Sequence, residues 1–487
     1  MGKQITEYLL YRWRYLLGYG VIAISLIGLL IVAGVFIPGA LTQAEMNSVV
    51  MSKAISFSLD SFDVNSIINL PYHLLQRASL DLFGVSLLSI KLPSLLLGFL
   101  SALGMLMLLR MWFKQNVAVL TAILVITTGQ FLFIAQSGSP SIMYVFCSIW
   151  LLVSAMMISR RAKFSGLWKI VLFSLSAISL YTPLSPYVLI ALLSAVILHP
   201  HLRYLVRQLS KVKILAAGLL ALVIVAPLMY VTIRHPDLGL RLLGVPTEWP
   251  NLQANAVLLL EQYFNFTSSN NMIPMNPVYG LGPMILIALG IYRLFTTKYT
   301  ARSYIISAWA ILLTPVLLIN PRFTSITFVP GLLLMAMGIN TLLSFWYKLF
   351  PRNPYARLAG LVPLAVLLGG MVLSGIDRYA YGYLYNPETR SNFSNDLRLV
   401  NKQLRQEKST VTLVVSKDEA PFYAVVAQYH PNVSIAESLV LVPGGVTLVS
   451  HDAYPVAKQN AIEPYRIITD TTTHNADRFY VYKTEVK

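Results

Sequence analysis

From Leu16 to Ile37 the chain carries no charged residue, and Phe328–Leu343 is equally free of charge. An apolar run of roughly 20 residues is long enough to cross the hydrocarbon core of a bilayer as a helix. Inside a bilayer every backbone polar group must find its partner within the chain, so such runs are constrained to be helical. Composition agrees. Charged residues make up 12% of the chain and mean hydropathy is +0.65, whereas soluble domains carry about 25% charged residues. The first run lacks a small-residue cleavage site and reads as an anchor, not a removable signal. The single cysteine, Cys147, lies in an apolar run and has no intrachain partner.

Eleven spans are expected, at 16–37, 91–109, 116–135, 142–159, 167–182, 184–198, 214–233, 282–297, 303–319, 324–346 and 358–376. The fifth and sixth are short and divided by "YTPLSP", where Pro183 and Pro186 interrupt a helix.

The net charge of +17 is not spread evenly. Residues 377–487 hold 12 basic and 12 acidic side chains, so residues 1–376 hold 25 basic and 8 acidic and carry the whole excess. A nucleic-acid surface would gather that charge on one folded face, but here it is dispersed through short links between apolar runs. Alternating the links gives one side with 19 basic residues and only Glu7 as an acid, and another with six basic residues and seven acids. The positive-inside rule makes the first side cytoplasmic. The amino terminus is then expected inside and residues 377–487 outside, in a multi-pass protein of the cell membrane.

Two outward links are long. In residues 38–90, Met46, Val49, Val50, Ala54 and Phe57, and then Ile67, Ile68, Leu74, Leu75 and Ala78, recur at helical spacing. Such helices are expected to lie on the membrane with their apolar sides down. Residues 234–281, with "PTEWPN" and "NFTSSNNMIPMNP", read as an irregular loop. The two links should roof a cavity at the outer boundary, apolar along one wall and polar near Glu45.

Residues 377–487 read as a small α/β domain. "SNDLRLVNKQLRQE" has an apolar face of Leu397, Val400 and Leu404 behind a capping Ser394 or Asn395. "TVTLVV", "GVTLVS", "YRIIT" and "RFYVY" are strand-like. The expected fold class is therefore an α-helical polytopic membrane domain, residues 1–376, followed by an extracytoplasmic α/β domain.

The acids near the outer boundary are few. Glu45 begins the first outer helix, in "LTQAEMNSVVMSKAI". No His/Cys/Asp/Glu spacing suggests a dedicated metal site, and no phosphate-binding "GxxxxGK" loop is present. A transporter would place ionisable groups at the bilayer midplane, whereas these runs keep charge at their ends.

The order of a first span, an acid and two outer helices leads into "LFGVSLLSIKLPSLLLGFLSALGMLMLLRMWF" and later "NPRFTSITFVPGLLLMAMGINTLL". This arrangement resembles the GT-C membrane glycosyltransferases of the protein O-mannosyltransferase and aminoarabinose-transferase type. The resemblance implies a polyprenyl-phosphate-linked sugar as donor, an acceptor glycan, lipid or protein, and chemistry at the outer membrane face. It carries Glu45 over as the catalytic residue. The family's acid pair after the first span is here Ala44-Glu45, and its Arg and Asp after the third span give way to "QSGSPSIM", with Ser139 and Ser141.

The chemistry of transfer suits a carboxylate. Phosphate leaves as an anion without strong acid, but the acceptor hydroxyl needs a base and the phosphate needs cations. The simpler reading of Glu45 is a helix cap favoured by the helix dipole. Arg322 in "NPRF" is the expected phosphate-gripping cation, against an arginine that merely snorkels at a span end. Lys53 and Arg77 are further substrate-binding candidates and Lys91, Arg234 and Arg241 weaker alternatives, all more simply surface charge. Tyr72 and His73 are candidates for substrate contact, more simply packing. A divalent cation is the one cofactor left open. The alternative to a transferase is a catalytically inactive relative that binds lipid-linked glycan or a partner protein, suggested by Ala44 and Ser141.

Overall fold

The structure, a computed structural model, describes residues 19–55, 64–160, 164–266, 277–297, 300–321, 323–349, 354–385, 392–407, 409–440, 444–457, 463–470 and 477–483. All eleven apolar runs coincide with a helix or a bent pair of helices. Among the described residues seven helices are long and apolar enough to cross a membrane: Tyr19–Phe36, Leu87–Trp112, Ser141–Ser159, Lys211–Arg234, Ala301–Ile319, Thr324–Leu349 and Val362–Leu384. Gln115–Ile126 with Gly129–Gln136, bent by 63°, and Pro186–Leu198 with Pro200–Arg207, bent by 96°, raise the number to nine. The runs at 167–182 and 282–297 form shorter apolar helices, Ser165–Ser179 and Leu281–Thr296.

The breaks have local causes. Thr128 restarts its helix by accepting the Phe131 amide at 3.3 Å. His199 Nδ1 accepts the Leu202 amide at 3.4 Å ahead of Pro200. Elsewhere small residues let helices touch. A methyl group on Gly290 would lie 2.0 Å from the Leu334 carbonyl oxygen, and one on Gly338 2.0 Å from that of Leu286. The helices carrying these two glycines therefore cross backbone to backbone, the packing that membrane helices favour.

The C-terminal domain is built on one sheet. After β1 (Leu41–Thr42) and β2 (Phe393–Ser394) come β3 (Val411–Val414), β4 (Val433–Ala436), β5 (Val446–Ser450), β6 (Arg466–Thr469) and β7 (Asp477–Lys483). The five-stranded order is β4-β3-β5-β7-β6, with β3 parallel to both neighbours and β7 antiparallel to both of its own. β3 and β5 are buried throughout, which agrees with their content of Val and Leu, broken only by small hydroxyl residues. The expected helix appears as Asp396–Gln406. A second helix, Ala420–Ala427, and the strand β4 come from stretches with no clear periodicity.

Two expectations for the outer links are overturned. Met46, Val49 and Val50 of helix Gln43–Ala54 pack into one core with Leu397, Val400, Phe422 and Val426, so this apolar side faces the α/β domain and not the membrane. Phe57 lies outside the described residues. In addition, β1 pairs antiparallel with β2 and stitches the first outer link to the α/β domain. The second link is not irregular: it contains helices Asp237–Leu242 and Leu252–Phe264. Asn251, at the end of "PTEWPN", starts the longer one by accepting the Gln253 and Ala254 amides at 3.1 Å.

Candidate active site

Glu45 stands at the third position of helix Gln43–Ala54 and completes a capping box. The Thr42 amide donates to its Oε2 at 2.7 Å and the Thr42 hydroxyl at 3.1 Å, while the Glu45 amide donates to Thr42 Oγ1 at 3.2 Å. Its other oxygen looks inward. Oε1 accepts the Gly138 amide at 2.6 Å and lies 3.5 Å from the Lys91 ammonium. Glu45 and Lys91 are both 0% exposed. Lys91, near the start of helix Leu87–Trp112, also donates to Gln136 Oε1 at 2.7 Å.

Three outer-helix side chains thus converge on the turn at 137–140, between helices Gly129–Gln136 and Ser141–Ser159. Glu45 takes the Gly138 amide. Gln76 Nε2 donates to the Gly138 carbonyl at 3.0 Å and to that of Ile90 at 3.1 Å. Tyr72 OH shares a 2.7 Å hydrogen bond with Ser94, whose hydroxyl donates to the Ser139 carbonyl at 3.3 Å. Position 138 favours glycine, since a methyl group there would lie 2.9 Å from Ile90 Cγ2 and 3.3 Å from Glu45 Oε1 and would force them to shift. In place of the charged pair of the resembled family, a ladder of hydroxyls runs Ser137–Ser139–Ser141, at 2.7 and 3.2 Å.

His73 belongs to the supporting layer. Its Nδ1 lies 2.9 Å from the Ser52 hydroxyl, and Ser52 and Ser48 both reach Gln76 Oε1, at 2.7 and 2.8 Å. Burial pushes the His73 imidazole down to about 4, so it is neutral at pH 7. The hydrogen bonds of Tyr72 and His73 place both beside the turn at 137–140, Tyr72 through Ser94 and His73 through Ser52 and Gln76.

Lys53 and Arg77 do not join this group. Lys53 Nζ lies 2.5 Å from Asp81 Oδ1 and Arg77 Nε 3.7 Å from Asp81 Oδ2. The Tyr429 hydroxyl of the α/β domain donates to the same carboxylate at 2.9 Å. The Lys53 ammonium beside it holds the Asp81 carboxyl below its usual range. These charges dock the two parts of the molecule. Arg322 lies outside the described residues.

A cavity of about 640 Å³ lies at the C-terminal end of the first apolar helix, between Val35, Phe36, Leu41, Leu87 and Leu88 and the helix Asp396–Gln406. It is not roofed by residues 234–281 as expected, and Glu45 does not line it. Its polar face carries Arg398, Lys402 and Arg405 and no acid. Spacings of four and three residues put these cations on one helix side. That periodicity was available in the sequence, hidden by the balanced charge of the domain. Leu41, in β1, precedes the helix that carries Glu45, and Leu88 is one helical turn from Lys91.

Among the described residues no group of three His, Cys, Asp or Glu side chains is placed to hold a metal ion. The Lys91 ammonium already faces Glu45, so the residues present do not fit a divalent cation there.

A family profile described as dolichyl-phosphate-mannose-protein mannosyltransferase matches residues 71–231. No curated protein is similar to the chain at a significant level. Among solved structures, ArnT from Cupriavidus metallidurans bound to undecaprenyl phosphate is similar at 13% identity and a TM-score of 0.53, over 95% of this chain and 98% of that one. The apo form of the same protein matches at 14% identity and a TM-score of 0.51, over 96% and 98%. The chain therefore shares the fold of ArnT along nearly its whole length, and about a third of it, residues 71–231, is similar to the mannosyltransferase profile.

Proposed function

We propose that the chain transfers a sugar from a polyprenyl-phosphate carrier to a hydroxyl of a glycan, lipid or protein acceptor at the outer face of the cell membrane. The observation that carries this reading is the buried Glu45–Lys91 pair, with Lys91 one helical turn from Leu88 in the wall of a cavity whose described lining is apolar on one side and holds three cations and no acid on the other. Stability does not call for such a pair. Desolvating two charges costs several kcal/mol each, and apolar replacements are often as stable. Paired charges buried beside a cleft are a mark of chemistry. ArnT, with the same fold, was captured with undecaprenyl phosphate, a carrier of the class proposed here.

In this reading the prenyl chain lies along Val35, Phe36, Leu87 and Leu88, and the cations of helix Asp396–Gln406 attract the phosphate. The phosphate draws Lys91 toward itself and leaves Glu45 Oε1 free to accept a proton. The acceptor oxygen then attacks the anomeric carbon, the bond from that carbon to the phosphate oxygen breaks, and phosphate departs with the electron pair. Glu45 takes the acceptor proton, and no metal step is invoked. In this reading the amino terminus is inside and the α/β domain outside, an orientation supported by the charge asymmetry of the links.

A second reading has its own observations. Ala44 is exposed where the resembled family has its first acid, and both Glu45 oxygens are engaged. On this view the chain binds the carrier without transferring its sugar. Proteoliposomes of wild type and Glu45→Gln, offered a panel of polyprenyl-phosphate sugars, separate the two. Glu45→Gln should lower turnover by about 10²–10⁴-fold with carrier binding retained. Equal transfer by both proteins rejects Glu45 as base. Carrier binding by a wild type that transfers from no donor supports the second reading.

A further inference from the structure

At the other end of the bundle lies a second cavity, of about 860 Å³. Trp112, in its wall, ends the helix whose other end carries Lys91. At about 1.5 Å per residue the two sites are roughly 30 Å apart, so nothing said of Glu45 applies here. The walls are leucines, valines and isoleucines of helices Ser141–Ser159, Ser165–Ser179 and Pro186–Leu198, and the bent segment Pro200–Arg207 closes one side.

Among the residues that line this apolar space, one carries a cationic side chain. Lys169 lines the cavity and is only 5% exposed. Among the described residues it has no hydrogen-bond or ion-pair partner, and no acid lines the cavity. The neighbouring segment 161–163 is Arg-Ala-Lys and supplies no carboxylate either. A charge buried within apolar helices is costly unless paired. Ser159, Ser165 and Ser210 line the same space, while the Ser176 hydroxyl donates to the Leu172 carbonyl at 2.8 Å, so cation and serines together suit an oxyanion. The rest of the space suits hydrocarbon.

We propose that this cavity is a binding site for a membrane lipid with a phosphate headgroup, the phosphate on Lys169 and the hydrocarbon chain against Leu172, Leu189 and Leu192. The lipid neutralises the buried ammonium, and the site is separate from the one that handles the sugar carrier. It does not rest on the function proposed above.

The test uses native mass spectrometry on the full-length protein in detergent, with dioleoyl phosphatidate and dioleoyl phosphatidylcholine as probes. Wild type should prefer phosphatidate, and Lys169→Gln should lose about ten- to a hundredfold of that preference, as expected for a charge-assisted phosphate contact. Lys169→Arg should keep it. Leu192→Trp, which fills the space while leaving the charge, should lower phosphatidate binding and keeps the test open if Lys169→Gln does not fold. An unchanged preference in both Lys169→Gln and Leu192→Trp overturns the proposal. Displacement of phosphatidate by millimolar inorganic phosphate also overturns it, because the hydrocarbon chain would then contribute nothing.

Discussion

Removing Lys91 while leaving Glu45 in place should be among the most damaging single changes near the outer face. In Lys91→Met the stem is replaced by a side chain of similar length, so packing is largely kept and the missing element is charge. Glu45 would retain three neutral donors, the Thr42 amide, the Thr42 hydroxyl and the Gly138 amide, at 2.7, 3.1 and 2.6 Å. Its charge would have no counter-ion in a fully buried site. Gln136 Oε1 would lose the donor it has at 2.7 Å, a further contribution of about 1 kcal/mol. Breaking a buried pair in this way costs about 3–5 kcal/mol, a large part of the roughly 5–15 kcal/mol that holds a typical domain together. Unfolding in mixed micelles by a detergent titration should register it. The double variant Glu45→Gln/Lys91→Met should be less destabilised than the sum of its single changes, with a coupling of about 0.5–3 kcal/mol. A change below about 0.5 kcal/mol in Lys91→Met, with no coupling, would refute the reasoning, because the pair would then be solvated.

Further perturbations probe the surroundings of the pair. Gly138→Ala sets a methyl group against Ile90 and Glu45 and should cost about 1–3 kcal/mol by overpacking, read in the same titration. Gly338→Val forces apart helices that touch at the Leu286 carbonyl oxygen and should lower the thermal midpoint more than Gly369→Val, whose methyl position meets nothing within 4 Å. The pH dependence follows from His73, whose folded-state value is about 4 against about 6.5 when unfolded. The unfolded chain takes up a proton first, so stability should fall as pH drops from about 6.5 to about 4, by up to about 3 kcal/mol, and level off below. His73→Phe should remove that component of the pH profile.

The spans were legible because apolar length is read by the bilayer almost directly. Even the short runs at 167–182 and 282–297 became helices. What the pattern could not tell was which apolar partner a helix would meet. Met46, Val49 and Val50 look the same in sequence whether they face lipid or Phe422 and Val426. Helix Leu252–Phe264 was hidden by the Pro- and Asn-rich stretches on either side of it. Ala420–Ala427 is apolar on every side and shows no period to read. In the site, Glu45 stood out because acids on the outer side are few. Its partners could not be read, since Lys91, Gln136 and Gly138 meet it only through the tertiary fold. Lys53 and Arg77 carried a local clue in the four-residue spacing from Arg77 to Asp81, but Tyr429 lies in another domain.

The most direct measurement is an experimental structure of the full chain in nanodiscs with a polyprenyl phosphate bound. The account predicts phosphate within hydrogen-bonding distance of Lys91, with the contact from Lys91 to Glu45 broken and the prenyl chain along Val35, Phe36 and Leu88. Phosphate bound elsewhere, with the Glu45–Lys91 pair still closed, would contradict it.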